Sequence, residues 1–138
     1  MRLILLSQSF YQRYSNCSEI LIKDRRPYIC LQVRVQNRDF AIPLRHHINH
    51  KYAFFTVGKC GLDYTKAVPI MSQDDIDDQT PTIDSSEFQR IKGKEQIIEN
   101  GLANYIAVYK KAMEHSDSPF YQTILRYSAL QYFEDVLL

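Results

Sequence analysis

Tryptophan is absent, cysteine is scarce, and no apolar stretch approaches the length of a membrane span. Cys17, Cys30 and Cys60 are odd in number, widely spaced and include no CxxC pair. They give no disulfide framework and suit a reducing compartment. The apolar opening Met1–Leu6 ends at Ser7-Gln8-Ser9, too early for a secretory signal, so a cytoplasmic protein is expected. No P-loop, dinucleotide fingerprint, nucleophile elbow or HExxH pattern occurs, and no internal repeat or low-complexity tract interrupts the chain. Net charge is also lacking: 17 Lys and Arg against 16 Asp and Glu leave +1. The total therefore gives no reason to expect a polyanionic partner.

The 138 residues, 45% hydrophobic and 24% charged, fit one ordinary globular domain over residues 1–138. Ten Tyr and seven Phe supply core volume and leave rings to spare at the surface. The charge is unevenly spread. Lys23 to Lys51 contains seven Lys and Arg against Asp24 and Asp39, with His46, His47 and His50 in the same stretch. Asp74 to Glu99 reverses the balance, with eight acids against Arg90, Lys92 and Lys94. The N-terminal half is basic and the middle acidic. A solvated face accounts for such runs as simply as a binding surface does.

Residues 2–6 read as a buried strand, followed by a short helix with Ser7 or Ser9 as N-cap. Lys23 to Pro27 is a polar loop. Ile29, Leu31, Val33 and Val35 alternate with polar neighbours, Gln36 to Asp39 supplies a turn, and Phe40, Ile42 and Leu44 alternate again. This is a β-hairpin. It places Arg26 and Tyr28 at the same end of the sheet as Arg45, His46 and His47. Residues 52–56 and 64–70 predict two more strands joined by a turn at Gly58 to Gly61. Residues 72–85 predict a loop with a helical turn at Asp74–Asp78. From about Lys92 the period becomes helical, with Ile98, Leu102, Tyr105, Ile106 and Tyr109 on one stripe. After a break at Ser116–Pro119 a last helix runs through Leu125, Leu130, Phe133 and Val136. The expected class is α+β, a small curled sheet or barrel with helices beside it and a long helix in the C-terminal half.

RNA can be cut without metal or protein nucleophile, because its own 2′-hydroxyl attacks the adjacent phosphate. Such a site needs a proton acceptor and donor, for which imidazole is suited, and a guanidinium fork for the phosphate. The run Arg45-His46-His47-Ile48-Asn49-His50, with Arg26 nearby, holds both kinds of group. Equally, histidines in a loop after a strand are exposed polar residues, or partners of a carboxylate such as Asp63. Lys66, read as a strand residue, either stabilises a phosphate or snorkels at an edge. Asp63-Tyr64 either orients a histidine or closes a turn. Tyr28 and Tyr52, near the basic rim, are candidates for stacking on unpaired bases. A metal site is the competing chemistry: His46 and His50 stand at i, i+4, with His47 or Cys60 as a third ligand.

The segments Arg26-Pro27-Tyr28, Phe40-Ala41-Ile42-Pro43-Leu44-Arg45, Gly61-Leu62-Asp63-Tyr64-Thr65-Lys66-Ala67-Val68 and Leu130-Gln131-Tyr132-Phe133 resemble toxins of type III toxin–antitoxin systems. The likeness is to the TenpN branch, a relative of ToxN, CptN and AbiQ. It implies a Kid/MazF-like, SH3-like antiparallel barrel with added helices. It also implies a cofactor-free, metal-independent endoribonuclease leaving 2′,3′-cyclic phosphate and 5′-hydroxyl ends. The implied partners are repetitive, pseudoknot-like antitoxin RNA repeats, which hold the toxin in a protein–RNA hetero-oligomer, and cellular or phage mRNA as substrate. Some such pairs abort phage infection. ToxN-like toxins carry a Thr-Ser pair after the Pro-Leu that ends the hairpin, whereas here Pro43-Leu44 leads into Arg45-His46-His47. The hydroxyl chemistry of that branch therefore does not carry over; the resemblance places a basic residue at Arg26, and the residues present assign Arg26 and Arg45 as phosphate clamps, His46 as acid or base, and Lys66 as transition-state stabiliser. Tyr28, His47, Asn49, His50, Tyr52, Asp63 and Tyr64 are then RNA-binding residues. A non-catalytic RNA-binding module and a histidine-ligated metal nuclease are the alternatives.

Overall fold

The computed structural model describes residues 1–23 and 26–137, without the side chains of Lys23 and Arg26. The polar loop expected at 23–27 thus lies partly outside the described residues, as does the Arg26 side chain. In chain order the elements are β1 (Arg2–Leu5), α1 (Gln8–Arg13), β2 (Ile22–Lys23), β3 (Arg26–Pro27), β4 (Ile29–Val35), β5 (Arg38–Arg45), β6 (Ala53–Phe55) and β7 (Gly61–Asp63). A 3-10 turn at Tyr64–Lys66 precedes β8 (Val68–Pro69), and another lies at Gln73–Asp75. Helices α2 (Ser85–Ile91), α3 (Glu95–Glu114), α4 (Pro119–Tyr127) and α5 (Glu134–Leu137) complete the chain, with a 3-10 turn at Ala129–Tyr132 between the last two.

The β4–β5 hairpin forms as its alternation predicts, with Cys30 opposite Pro43 and Val35 opposite Arg38. Gln36 and Asn37 both take positive φ (54° and 64°), the two-residue turn whose twist matches that of the strands it joins. β1 pairs antiparallel with β4, while β5 is flanked on its other side first by β8 and then by β7. The sheet path runs β1-β4-β5-β7-β6. It does not return from β6 to β1 among the described residues, so the SH3-like closed barrel is corrected to an open antiparallel sheet with helices on it.

Alternation along the hairpin separates two cores. Leu31, Val33, Val35, Phe40, Ile42 and Leu62 pack on one face against Ile98, Leu102, Tyr105, Ile106 and Tyr109 of α3. Cys30 and Ala41 face the other way, against Ile4, Phe10, Val68, Ala129 and Phe133. The α3 stripe is the one its helical spacing gives. Each large side chain fully buried this way contributes roughly 1.5–3 kcal/mol.

Three expectations need correction. Residues 64–70 are not one strand: β7 ends at Asp63, and the Asp63 carboxylate caps a 3-10 turn by accepting the Thr65 amide at 3.0 Å. The final helix is broken into three pieces because Ser128 is extended and its hydroxyl accepts the Leu130 amide at 3.2 Å. Helix begins at Ser85 rather than near Lys92: α2 follows the loop expected over 72–85 and is opened by Asp84, which accepts the Ser86 amide at 2.9 Å. The acidic segment is also partly structural. Asp75 is buried, pairs with Arg13, and accepts the amides of Met71 (2.9 Å) and Ser72 (3.2 Å). It ties the 71–76 loop to α1.

β7 and α3 meet where Tyr64 turns its hydroxyl into the first helical turns and donates to the Ile98 carbonyl at 3.0 Å. The space for that ring exists because residue 101 is glycine: a Cβ there would stand 2.2 Å from the Tyr64 hydroxyl. Alanine is the better helix former by about 1 kcal/mol, yet overpacking costs about 1–3 kcal/mol. Gly101→Ala should therefore lower the urea midpoint. A midpoint raised by the substitution would mean that the Tyr64–Ile98 contact does not constrain the helix.

Candidate active site

The end of β5 is where the chain's chemistry gathers, and strand alternation decides which groups meet. Leu44 pairs with Leu62 on the α3 face. Arg45, opposite Gly61, points the other way, and Asp63 shares that direction two residues along β7. On the other edge of β7, Gly61 admits the close approach of β6, since a Cβ would lie 2.3 Å from the Phe54 carbonyl oxygen. The Arg45 Nη1 donates to Asp63 Oδ2 at 2.5 Å. On the other oxygen, Oδ1, converge the Thr65 hydroxyl (2.6 Å), the Thr65 amide (3.0 Å) and His50 Nε2 (3.1 Å). Asp63 is completely buried, whereas the Arg45 side chain keeps 26% of its surface exposed. Burial alone would push the Asp63 carboxyl up. The hydrogen bonds from His50, Thr65 and Arg45 outweigh it and hold the carboxyl below the usual carboxylate value.

His50 arrives by a deliberate reversal of the chain. His47 adopts φ of 58°, a left-handed conformation that histidine tolerates better than most residues. Ile48 then buries and donates its amide to the Lys59 carbonyl at 2.9 Å. This returns His50 toward Asp63. Its Nδ1 accepts the Tyr52 amide at 3.1 Å, so Nδ1 carries the lone pair and Nε2 the hydrogen that faces Asp63.

Above this cluster opens a recess of about 330 Å³ lined by Arg45, His50, Tyr52, Thr65, Lys66, Tyr105 and the α4 residues Thr123, Ile124 and Tyr127. The Lys66 ammonium donates to Glu19 Oε1 and to the Tyr127 carbonyl, each at 2.6 Å. Two of its three hydrogens are engaged and the third is available to a ligand. Tyr52 and Tyr105 stand with ring centroids 5.4 Å apart, and Tyr127 is exposed at the rim. Burial pushes the Tyr105 phenol up, so it stays protonated.

Consecutive residues part company here. His46, next to Arg45, lines a different recess of about 350 Å³ with Tyr28, Asp84 and Glu87. Its Nδ1 lies 2.9 Å from Cys60 Sγ. Of the residues singled out in the sequence, Arg45, His50, Tyr52, Asp63 and Lys66 share one locality, and Tyr28 and His46 share another. His47 and Asn49 are exposed on the intervening loop, with Asn49 Oδ1 accepting from Lys59 at 3.4 Å. Tyr64 is buried with its hydroxyl donating to the Ile98 carbonyl, and Asp63 is wholly enclosed beneath Arg45, His50 and Thr65. Among the described residues no three His, Cys, Asp or Glu side chains gather as metal ligands. Thr65, Tyr105 and Tyr127 were not legible as site residues; the Thr two residues after Asp was the available signal, being the spacing of an Asx turn.

No protein-family model and no curated protein sequence matches the chain. Among solved structures it is similar to a protein from work on a processed non-coding RNA that regulates a bacterial antiviral system, with a TM-score of 0.60. The match covers 80% of this chain and 87% of that one at 13% identity. The two chains share a fold. No helix among the described residues is long and apolar enough to cross a membrane.

The Asp63 cluster carries a pH signature. An unfolded aspartate titrates near 3.9, and the folded carboxyl lies below that. Its stabilising contribution is therefore fully present above about pH 4 and lost as pH falls through the lower folded value. Asp63→Asn should remove that part of the acid slope. At neutral pH it should destabilise by about 3 kcal/mol, the low end for breaking a buried pair because Arg45 is part-exposed. Urea melts between pH 3 and 7 check both, and parallel curves for wild type and variant would contradict the assignment.

Proposed function

We propose that the protein is a metal-independent endoribonuclease, the toxin of a type III toxin–antitoxin pair. The observation that carries this reading is the recess over Asp63, where a guanidinium, an imidazole, a hydroxyl and an ammonium converge beside three tyrosine rings. Arg45, fixed by one nitrogen to Asp63, offers its remaining donors to a phosphate. Lys66 adds its free hydrogen to the same charge as it grows in the transition state. The substrate's 2′-hydroxyl displaces the Tyr52 amide from His50 Nδ1 and gives up its proton there as its oxygen bonds to phosphorus; the P–O5′ bond breaks, and the departing 5′ oxygen takes its proton from the Lys66 ammonium, which water restores. The resulting imidazolium keeps its Nε2 hydrogen on Asp63, which stabilises it. Thr65 holds Asp63 in place from below. Tyr52 and Tyr127 are positioned to stack on unpaired bases.

The base in this scheme is His50 rather than His46, because His46 opens into the other recess and contacts Cys60. The antiviral setting is supported by the shared fold with a protein of an RNA-regulated bacterial antiviral system. In that setting the partners are the repeats of an antitoxin RNA, which the toxin processes and which then occupy its site, and cellular or phage mRNA. A metal nuclease built on His46, His47 and His50 has no support in the described geometry, since His46 and His50 engage different partners.

The series that tests the proposal is cleavage of single-stranded RNA by Arg45→Ala, His50→Ala and His46→Ala. The first two should each lose about 10²–10⁴-fold in rate while remaining folded. His46→Ala should lose less than about tenfold, the scale of a peripheral contact. A series in which His46→Ala is the inactive member would move the site to the other recess. RNA binding without cleavage by the wild type would favour the non-catalytic module.

A further inference from the structure

The cleavage recess does not end at its two central tyrosines. Tyr52 and Tyr105 also wall a second recess of about 330 Å³, between the 51–54 segment and α3. Its floor is a stripe of α3 at helical spacing: Gly101, Asn104, Tyr105 and Val108. Three of these are small or apolar. The fourth, Asn104, is an exposed carboxamide in an otherwise apolar stripe, and nothing in the packing of α3 calls for it. At the rim Lys51 is exposed, with its ammonium 5.4 Å from the Tyr52 ring centroid.

We propose that this second recess is a nucleobase subsite for the nucleotide adjoining the scissile phosphate, with Asn104 reading the base and Lys51 holding its phosphate. The inference rests on the reading of the first recess as the RNA cleavage site. Its occupant follows from the chemistry of the walls. Tyrosine faces and Val108 suit a planar, weakly polar ring, and base–aromatic stacking tolerates any base. Discrimination must then come from the carboxamide, which presents one donor and one acceptor side by side. That pairs with an adjacent donor and acceptor on the edge of a base, and the position of the carboxamide in the recess decides which base presents them there. The cation at the rim complements the backbone charge that accompanies the base. Because Tyr52 serves both recesses and its amide caps His50, a base seated in the second would align the strand over the first.

The test uses 2′-O-methyl RNA hexamers, which cannot be cleaved, with each position varied in turn and affinity read by fluorescence anisotropy on the full chain. The wild type should prefer one base at a single position by about tenfold. Asn104→Ala should flatten that preference while changing affinity elsewhere by less than about threefold, and circular dichroism should show α3 intact. Lys51→Ala should weaken all sequences alike and reduce the salt dependence by about one phosphate contact. A base preference unchanged in Asn104→Ala would overturn the subsite. So would cleavage of natural RNA with a site profile that Asn104→Ala leaves unaltered, and in that case the cleavage-site reading would stand. Absence of RNA binding by the wild type in both forms of RNA would remove the two together.

Discussion

A single buried carboxylate organises the end of the sheet where β5 and β7 close. Asp63 lies at the close of β7 with no surface of its own, and it is tolerable there only because each oxygen is occupied by a strong donor. Arg45 comes from β5, His50 from a returning loop and Thr65 from the 3-10 turn that Asp63 itself caps. A strand end, a loop and a turn are thus fixed relative to one another by one group. Removing it would leave a guanidinium and an imidazole near the right place but without a common anchor. Preorganisation of this kind is what a charge-stabilising site needs, since donors already held in position have no reorganisation to undergo as charge develops.

The sheet supplies the opening in which that cluster sits. β5 pairs with β4 over residues 38–43, and its other edge is shared between β8 at residues 40–41 and β7 at residues 44–45. The Asp39 carbonyl accepts from Ile70 on that edge, so alternation turns the backbone of residues 41, 43 and 45 the same way. Residue 43 is proline, which has no amide hydrogen to leave unpaired where β5 lacks a neighbour. The chain between β7 and β8 can therefore bulge away as a 3-10 turn, carrying Thr65 and Lys66 out of the sheet plane and into the recess. The sheet stays open because β6 does not pair with β1 among the described residues, in place of the closed barrel that the resemblance implied.

Much of this was legible beforehand. The hairpin was plain because Ile29, Leu31, Val33 and Val35, and then Phe40, Ile42 and Leu44, alternate on either side of a turn, and α3 was plain because its apolar residues keep helical spacing over about three turns. What the sequence could not display was the direction of side chains just past a strand end. Arg45 and His46 are adjacent, and gathering them into one cluster ignored the alternation that sends them to separate recesses. Residues 64–70 looked like a strand from composition, and only the Asp63 carboxylate, acting locally on the Thr65 amide, turns them into a 3-10 segment. The alternative reading of Asp63, as partner of a histidine, matches the geometry, with His50 as that histidine. Tyr105 and Tyr127 could not be recognised as recess walls because α3 and α4 meet the sheet only in three dimensions.

The most direct test of the account concerns the chemistry rather than any one residue. Purified protein incubated with single-stranded RNA in excess EDTA should produce fragments ending in 2′,3′-cyclic phosphate and 5′-hydroxyl, the products of attack by the neighbouring 2′-hydroxyl. RNA that stays intact in EDTA and is cut only when a divalent metal is restored, or fragments ending in 3′-hydroxyl and 5′-phosphate, would contradict it.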